Sequence, residues 1–153
     1  MGVERDVETA AMWYRRAAEQ GHPEAQFSLA WMLRTGEGVE PDQEEAGAWF
    51  LLAAEQGLAA AQSQMGVLYL RGDGVEANDA QAEEWLTAAA EQGVPMAQYN
   101  LGLMHVQQRT ASCDREVGME WIRLAGQNGL PEAQRKLRLI AGAGEPTLVG
   151  DAD

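Results

Sequence analysis

Cysteine is almost missing: Cys113 is the only one in 153 residues. No internal disulfide can form, so stability must come from packing. Long apolar runs are missing too, which excludes a membrane-spanning helix, and the first residues lack the apolar stretch of a signal peptide. β-Branched residues are few, while Leu, Ala, Met, Gln, Glu and Trp are plentiful. That mixture favours helices over strands and predicts an all-α chain. Basic residues are scarce, 11 against 24 acidic ones, for a formal charge of −13. A polyanion would be repelled, so nucleic acid and anionic membrane are excluded as partners and direct membrane insertion is not expected. Through residue 108 there are 17 acids and 5 bases, and the remainder has 7 and 6, so the acidity belongs to the first three-quarters. The expected partner is a protein or peptide of basic or neutral charge. The length leaves no room for a second globular domain.

What the chain does have is a repeat. Trp13, Trp49, Trp85 and Trp121 recur at a step of 36 with no insertion. The same step links Gly21, Gly57, Gly93 and Gly129, then Gln26, Gln62, Gln98 and Gln134, then Ala25, Ala61, Ala97 and Ala133, and also Ala17, Ala53, Ala89 and Ala125. Within one period Ala25, Leu29, Met32 and Leu33 fall at helical spacing, as do Ala61, Met65, Leu68 and Tyr69, and Ala97, Leu101, Met104 and His105; this is helix A. Glycine-rich turns follow at Thr35 to Pro41 and Arg71 to Ala77. Asp42, Asn78 and Asp114 then stand where an N-cap is needed, with Glu45 and Gln81 three residues on in the capping-box position. They open helix B, whose expected buried face is Ala46, Trp49, Phe50 and Ala53 in one unit and Ala82, Trp85, Leu86 and Ala89 in the next. Gly57 and Gly93 end it, and Pro23, Pro95 and Pro131 open the following helix A. A helix pair of this kind cannot bury its apolar face alone, so neighbours must stack, with the four indoles and their flanking alanines as the shared seam. The repeated glutamines suit hydrogen bonds between units, and Glu19, Glu55 and Glu91 read as a solvated stripe.

Taken together, Ala61, Met65, Gly66, Tyr69, Gly72, Gly74, Val75, Asn78, Ala82, Trp85, Leu86, Ala89, Ala90 and Gly93 resemble the Sel-1-like repeat family, relatives of tetratricopeptide repeats. The resemblance covers residues 2 to about 139. It implies a right-handed superhelix (solenoid) of antiparallel α-hairpins with about eight helices, an adaptor role in protein complexes, and no shared catalytic residue. Many members are bacterial, so a soluble chain, cytoplasmic or periplasmic, is expected. The domain division is 1–141 for the solenoid and 142–153 for a flexible acidic tail. Three departures stand out: Gln108 and Thr110 replace both loop glycines, Gly118 replaces the helix-B alanine, and Arg138 replaces the small residue of the last helix A. The fourth loop, Gln107 to Cys113, must therefore take a different path. Residues 2–6 align with the Gly38 to Asp42 loop, so the chain begins inside a repeat.

Similarity to tetratricopeptide repeats places binding positions on the concave, helix-A face: Glu24, Phe27, Trp31 and Arg34; Ala60, Ser63, Val67 and Leu70; Met96, Tyr99, Leu103 and Val106; and Glu132, Arg135 and Leu139. Many are apolar, and Trp31 is the one tryptophan out of register. Such a groove would offer apolar anchor pockets ringed by acids, unless tight curvature buries these side chains between helices. No catalytic grouping, metal ligand set or cofactor is expected. His22 and His105 lie in different units without partners at metal spacing, and Cys113 reads as a spectator thiol. The alternative function is an inhibitor or immunity-type protein, whose acidic solenoid would cover a basic active-site cleft.

Overall fold

The computed structural model describes residues 2–144. It consists of eight helices: α1 (Gly2–Glu19), α2 (Pro23–Thr35), α3 (Gln43–Glu55), α4 (Ala59–Arg71), α5 (Asp79–Glu91), α6 (Pro95–Gln107), α7 (Arg115–Gln127) and α8 (Pro131–Gly144). No strand occurs among the described residues. The architecture is the expected α/α solenoid, with even-numbered helices as helix A and odd-numbered ones as helix B. The tail expected for 142–153 lies, from residue 145 on, outside the described residues.

The boundaries follow from local chemistry. Asp42 accepts a hydrogen bond from the Glu45 amide at 2.9 Å, Asn78 from the Gln81 amide at 3.0 Å, and Asp114 from the Glu116 and Val117 amides at 2.7 and 3.3 Å. Each cap satisfies amides that the first helical turn leaves free. The reciprocal half of the capping box is not made. Glu45 instead accepts from Arg15 at 2.6 Å and from the Trp49 indole at 3.1 Å, and Gln81 donates to Glu84. Gly57 and Gly93 take φ of 91° and 89°, the left-handed geometry that ends a helix B.

Helix pairs α2–α3, α4–α5 and α6–α7 pack most closely, because helix A offers a small residue where helix B thrusts a large one. A Cβ on Gly66 would lie 2.6 Å from Leu86 Cδ2, and one on Gly102 would lie 2.6 Å from Ile122 Cγ1 and 2.7 Å from the Gly118 carbonyl. Those distances are below van der Waals contact, so glycine is what allows the approach.

The core corrects the expected indole seam. Phe50, Leu86 and Ile122, each one residue after a tryptophan, are fully buried. Trp49, Trp85 and Trp121 are only half-buried, and Trp13 is 63% exposed. The physical reason is geometric: the residue after each Trp points at its own helix A, as Phe50 does at Phe27 and Leu86 at Gly66, and the adjacent indole, about 100° further round, stays only partly covered. Trp49 and Trp85 pack against the core of α1 to α4, and Trp121 against that of α5 and α6. Among the described residues no helix covers Trp13, and Arg16 sits over its ring at 5.4 Å instead.

A second correction concerns residues 2–6, which continue α1 as helix where the repeat alignment placed a loop. Elsewhere that loop is held closed by the end of a preceding helix A, as when the Asp42 amide donates to the Leu33 carbonyl at 2.9 Å. Among the described residues no helix A holds residues 2–6 in that way, and the helical hydrogen-bond ladder runs on.

The recurring glutamines join the units. Gln26, Gln62, Gln98 and Gln134 donate to the carbonyls of Ala18, Ala54, Ala90 and Gly126 near the end of the preceding helix B, at 2.9 to 3.3 Å. The first three also accept from Gln56, Gln92 and Asn128 of the following helix B. One amide thus bridges three helices while satisfying a carbonyl that a helix C-terminus leaves unpaired.

Candidate protein-binding face

Among non-consecutive helices, α4 and α6 make the most extensive contact, so successive A helices lie side by side and form one wall. The 36-residue step then stacks equivalent positions of α2, α4, α6 and α8 into columns along that wall. One column runs Trp31, Val67, Leu103 and Leu139; another runs Phe27, Ser63, Tyr99 and Arg135.

Their exposure differs along the wall. Trp31 is 37% exposed, Met96 42% and Leu139 71%, while Glu24, Ala60, Glu132 and Arg135 are also open to solvent. Phe27, Val67, Leu70, Tyr99, Leu103 and Val106 are half-buried, and Ser63 is buried. Half-burial has a cause in each case. Phe27 and Trp31 stack edge-on, with centroids 6.3 Å apart, and both lean edgewise on Phe50 at 5.5 and 5.6 Å. Tyr99, Leu103 and Val106 pack against the Ile122, Ala125 and Ala133 cluster. These side chains are therefore part wall and part core.

Two features give the face local character. Arg34 forms an ion pair with Asp73 at 2.6 Å and lies 5.9 Å from the Trp31 ring, so the guanidinium frames the exposed indole. At the other end Tyr99, Glu132, Arg135 and Leu139, four of the expected positions, line one shallow depression together with Lys136. The wall thus runs from an aromatic patch on α2 to a mixed basic and apolar pocket between α6 and α8. Glu55 and Glu91 are exposed, in keeping with a solvated stripe.

The fourth loop departs from the others as expected. Gln108 ends α6 with φ 54°, the one non-glycine residue with positive φ among those described. The sequence reading separated three residues that the fold unites. Glu83 of α5, His105 of α6 and Cys113 of the loop place one ligand-type atom each within 4.8 Å of the others. The Asp114 amide donates to His105 Nδ1 at 2.9 Å, His105 Nε2 lies 3.9 Å from Glu83 Oε1, and the Thr110 and Ser112 hydroxyls donate to the two Glu83 oxygens at 2.5 Å. The signal was present as a shared departure: Glu83 stands where α3 has Gly47, and His105 where α4 has Tyr69.

With this geometry in place, comparison with known proteins is informative. The Sel1 repeat pattern matches residues 1–22, 23–58, 59–94 and 95–130. The chain belongs to the Sel1 repeat family. Sel1 repeat proteins are generally non-catalytic scaffolds for protein interactions. Among solved structures, the chain is similar to c5321, a protective antigen present in uropathogenic Escherichia coli strains, with 37% identity, a TM-score of 0.77, and coverage of 83% of this chain and 27% of that one. It is also similar to a Sel1 repeat protein from Oxalobacter formigenes, with 34% identity, a TM-score of 0.77, and coverage of 85% of this chain and 53% of that one. The chain thus spans about a quarter and about half the length of these two bacterial relatives. No curated protein sequence matches it. Among the described residues no helix is long and apolar enough to cross a membrane.

Proposed function

We propose that this Sel1 repeat chain is an adaptor that recruits a protein or peptide through its helix-A face and performs no catalytic step. The observation that carries the reading is the set of solvent-accessible apolar side chains recurring along one wall: Trp31, Met96 and Leu139 exposed, with Val67, Leu70 and Leu103 between them. The exposed parts of apolar groups in that arrangement are available as anchors for a ligand. The partner is basic or neutral, because the net charge of −13 repels acidic surfaces. The acid excess through residue 108 also favours a second reading, an inhibitor or immunity-type protein that covers a basic cleft of an enzyme or toxin.

The test is capture by wild-type protein and by Met96→Glu and Leu139→Glu variants, with bound proteins identified by cross-linking and mass spectrometry. Loss of the same partner in both variants, with thermal melts nearly unchanged, supports the reading. Undiminished capture refutes it. Several assembly partners point to an adaptor; a single enzyme whose activity disappears on binding points to an inhibitor. Phe27 and Trp31 are left intact because both contact buried Phe50, and the loss of either would disturb the core.

A further inference from the structure

We infer that Glu83, His105 and Cys113 form a binding site for a borderline-soft divalent cation of the zinc class. The three side chains come from α5, α6 and the fourth loop, and supply a carboxylate, an imidazole and a thiol with ligand atoms mutually within 4.8 Å. This is a mixed O, N and S set of the kind zinc accepts, with a fourth position left for water. Tetrahedral bonds of about 2.0 to 2.3 Å put neighbouring ligand atoms roughly 3.3 to 3.7 Å apart. The His105 Nε2 to Glu83 Oε1 separation of 3.9 Å needs little contraction. Cys113 is carried by a loop outside regular helix, so the thiol is the ligand best able to close in.

The case does not rest on the cluster alone. In a solenoid whose framework returns every 36 residues, this locus loses three recurring loop residues together. Gln108, Thr110 and Ser112 stand where both preceding loops have Gly, Gly and Glu, as Gly36, Gly38 and Glu40 and as Gly72, Gly74 and Glu76, while Glu83, His105 and Cys113 occupy positions that differ in every unit. In the preceding unit Gly47 lies under the loop, where a Cβ would already be in van der Waals contact with the Gly74 carbonyl and the Val75 side chain, at 3.5 Å. In this unit the loop is rebuilt, at the expense of a left-handed glutamine, so that a carboxylate fits beneath it and two hydroxyls hold it. Thr110 and Ser112 become the outer-shell donors that orient a ligating carboxylate. His105, 9% exposed, is nine-tenths buried. A lone polar substitution would suffice to fill space; a carboxylate, an imidazole and a thiol converging with their supports is a donor set.

Binding is written in balance as follows. The metal takes the place of the Cys113 thiol proton, which leaves to solvent. At His105 the Asp114 amide now donates to Nδ1, so the neutral ring carries its proton on Nε2. Ligation through Nε2 shifts that proton to Nδ1, and the Asp114 hydrogen bond is given up for the metal bond. Uptake therefore releases one proton and moves the Asp114 amide.

The experiment is a titration of the reduced full chain with cobalt(II) as the spectroscopic probe, followed by displacement with zinc. The expected result is a thiolate-to-cobalt charge-transfer band saturating at one metal per chain, with the intense visible bands of tetrahedral cobalt. Zinc should shift the Asp114 amide resonance and raise the melting temperature. His105→Asn and Glu83→Gln should each weaken cobalt binding by about 10- to 100-fold or more, at least the cost of losing an outer-shell partner. Glu83→Gln is close to isosteric and guards against misfolding of the histidine variant. Absence of the band at millimolar cobalt overturns the proposal, as does a band undiminished in both variants, which would mean a metal held by the cysteine alone.

Discussion

Phe50 offers the sharpest test of how the solenoid is held together. Its ring is fully buried and meets Phe27 and Trp31 edge-on, at 5.5 and 5.6 Å. Truncation to alanine removes the transfer energy of a buried ring and leaves a cavity, which together cost about 3 to 5 kcal/mol. The two aromatic contacts, worth about 0.5 to 1.5 kcal/mol each beyond their area, push the value to the upper end. For a domain of this size each kcal/mol lowers the melting temperature by about 2 to 4 °C, so Phe50→Ala should lose about 10 °C or more. Trp13, by contrast, is 63% exposed. Trp13→Ala should cost at most about 0.5 kcal/mol, the usual range for surface substitutions. Half-buried Trp85 falls between them, at roughly 2 kcal/mol on burial of half its ring. Urea melts of the three variants, followed by circular dichroism, give the order directly. If Trp13→Ala proved as damaging as Phe50→Ala, the assignment of the core to the residue after each tryptophan would be wrong.

Other outcomes follow from single contacts. Gly102→Ala would drive a methyl group against both Ile122 and the Gly118 carbonyl, and should lose about 1 to 3 kcal/mol in the same melts. Asp42→Ala removes the α3 cap and should cost about 1 kcal/mol, with Asp42→Asn largely sparing stability. Glu45 titrates below its ordinary value of 4.5, chiefly because Arg15 hydrogen-bonds it, with help from the Trp49 indole and the Arg15 charge against the opposing effect of burial. A lowered folded-state value means its contribution is fully present above pH 4.5 and disappears as pH falls through the folded value. Melts of wild type and Glu45→Gln should therefore converge on acidification below that point, and a constant gap between them would contradict the pairing.

Much of this fold is legible because the chain states it several times. Caps at Asp42, Asn78 and Asp114, turn glycines, and the glutamines recur at one step, and each has a local physical meaning that needs no tertiary knowledge. The choice between Trp85 and Leu86 as the deeper residue is different. Adjacent helical positions differ by about 100° around the axis, and which one faces the partner helix depends on a crossing angle that only packing sets. The helical state of residues 2–6 is illegible for a related reason: their alignment with a loop copies the pattern of Gly38 to Asp42 without the helix end that enforces it. On the helix-A wall, the columns could be listed from the repeat, but the lean of Phe27 and Trp31 on Phe50 could not. Neither could the meeting of Glu83, His105 and Cys113, whose sequence separation hides a shared location behind missing glycines.

The bridging glutamines set how the molecule comes apart. Each internal amide is answered from both sides, so a break in the middle of the array strands hydrogen-bonding groups in two hairpins at once, whereas a terminal helix can peel away and hand its carbonyl to water. Amide exchange should then be slowest around Gln62 and Gln98 and fastest at the two extremities. A pull on the two extremities of this array would unzip the stack hairpin by hairpin, leaving the packing of the remaining units intact.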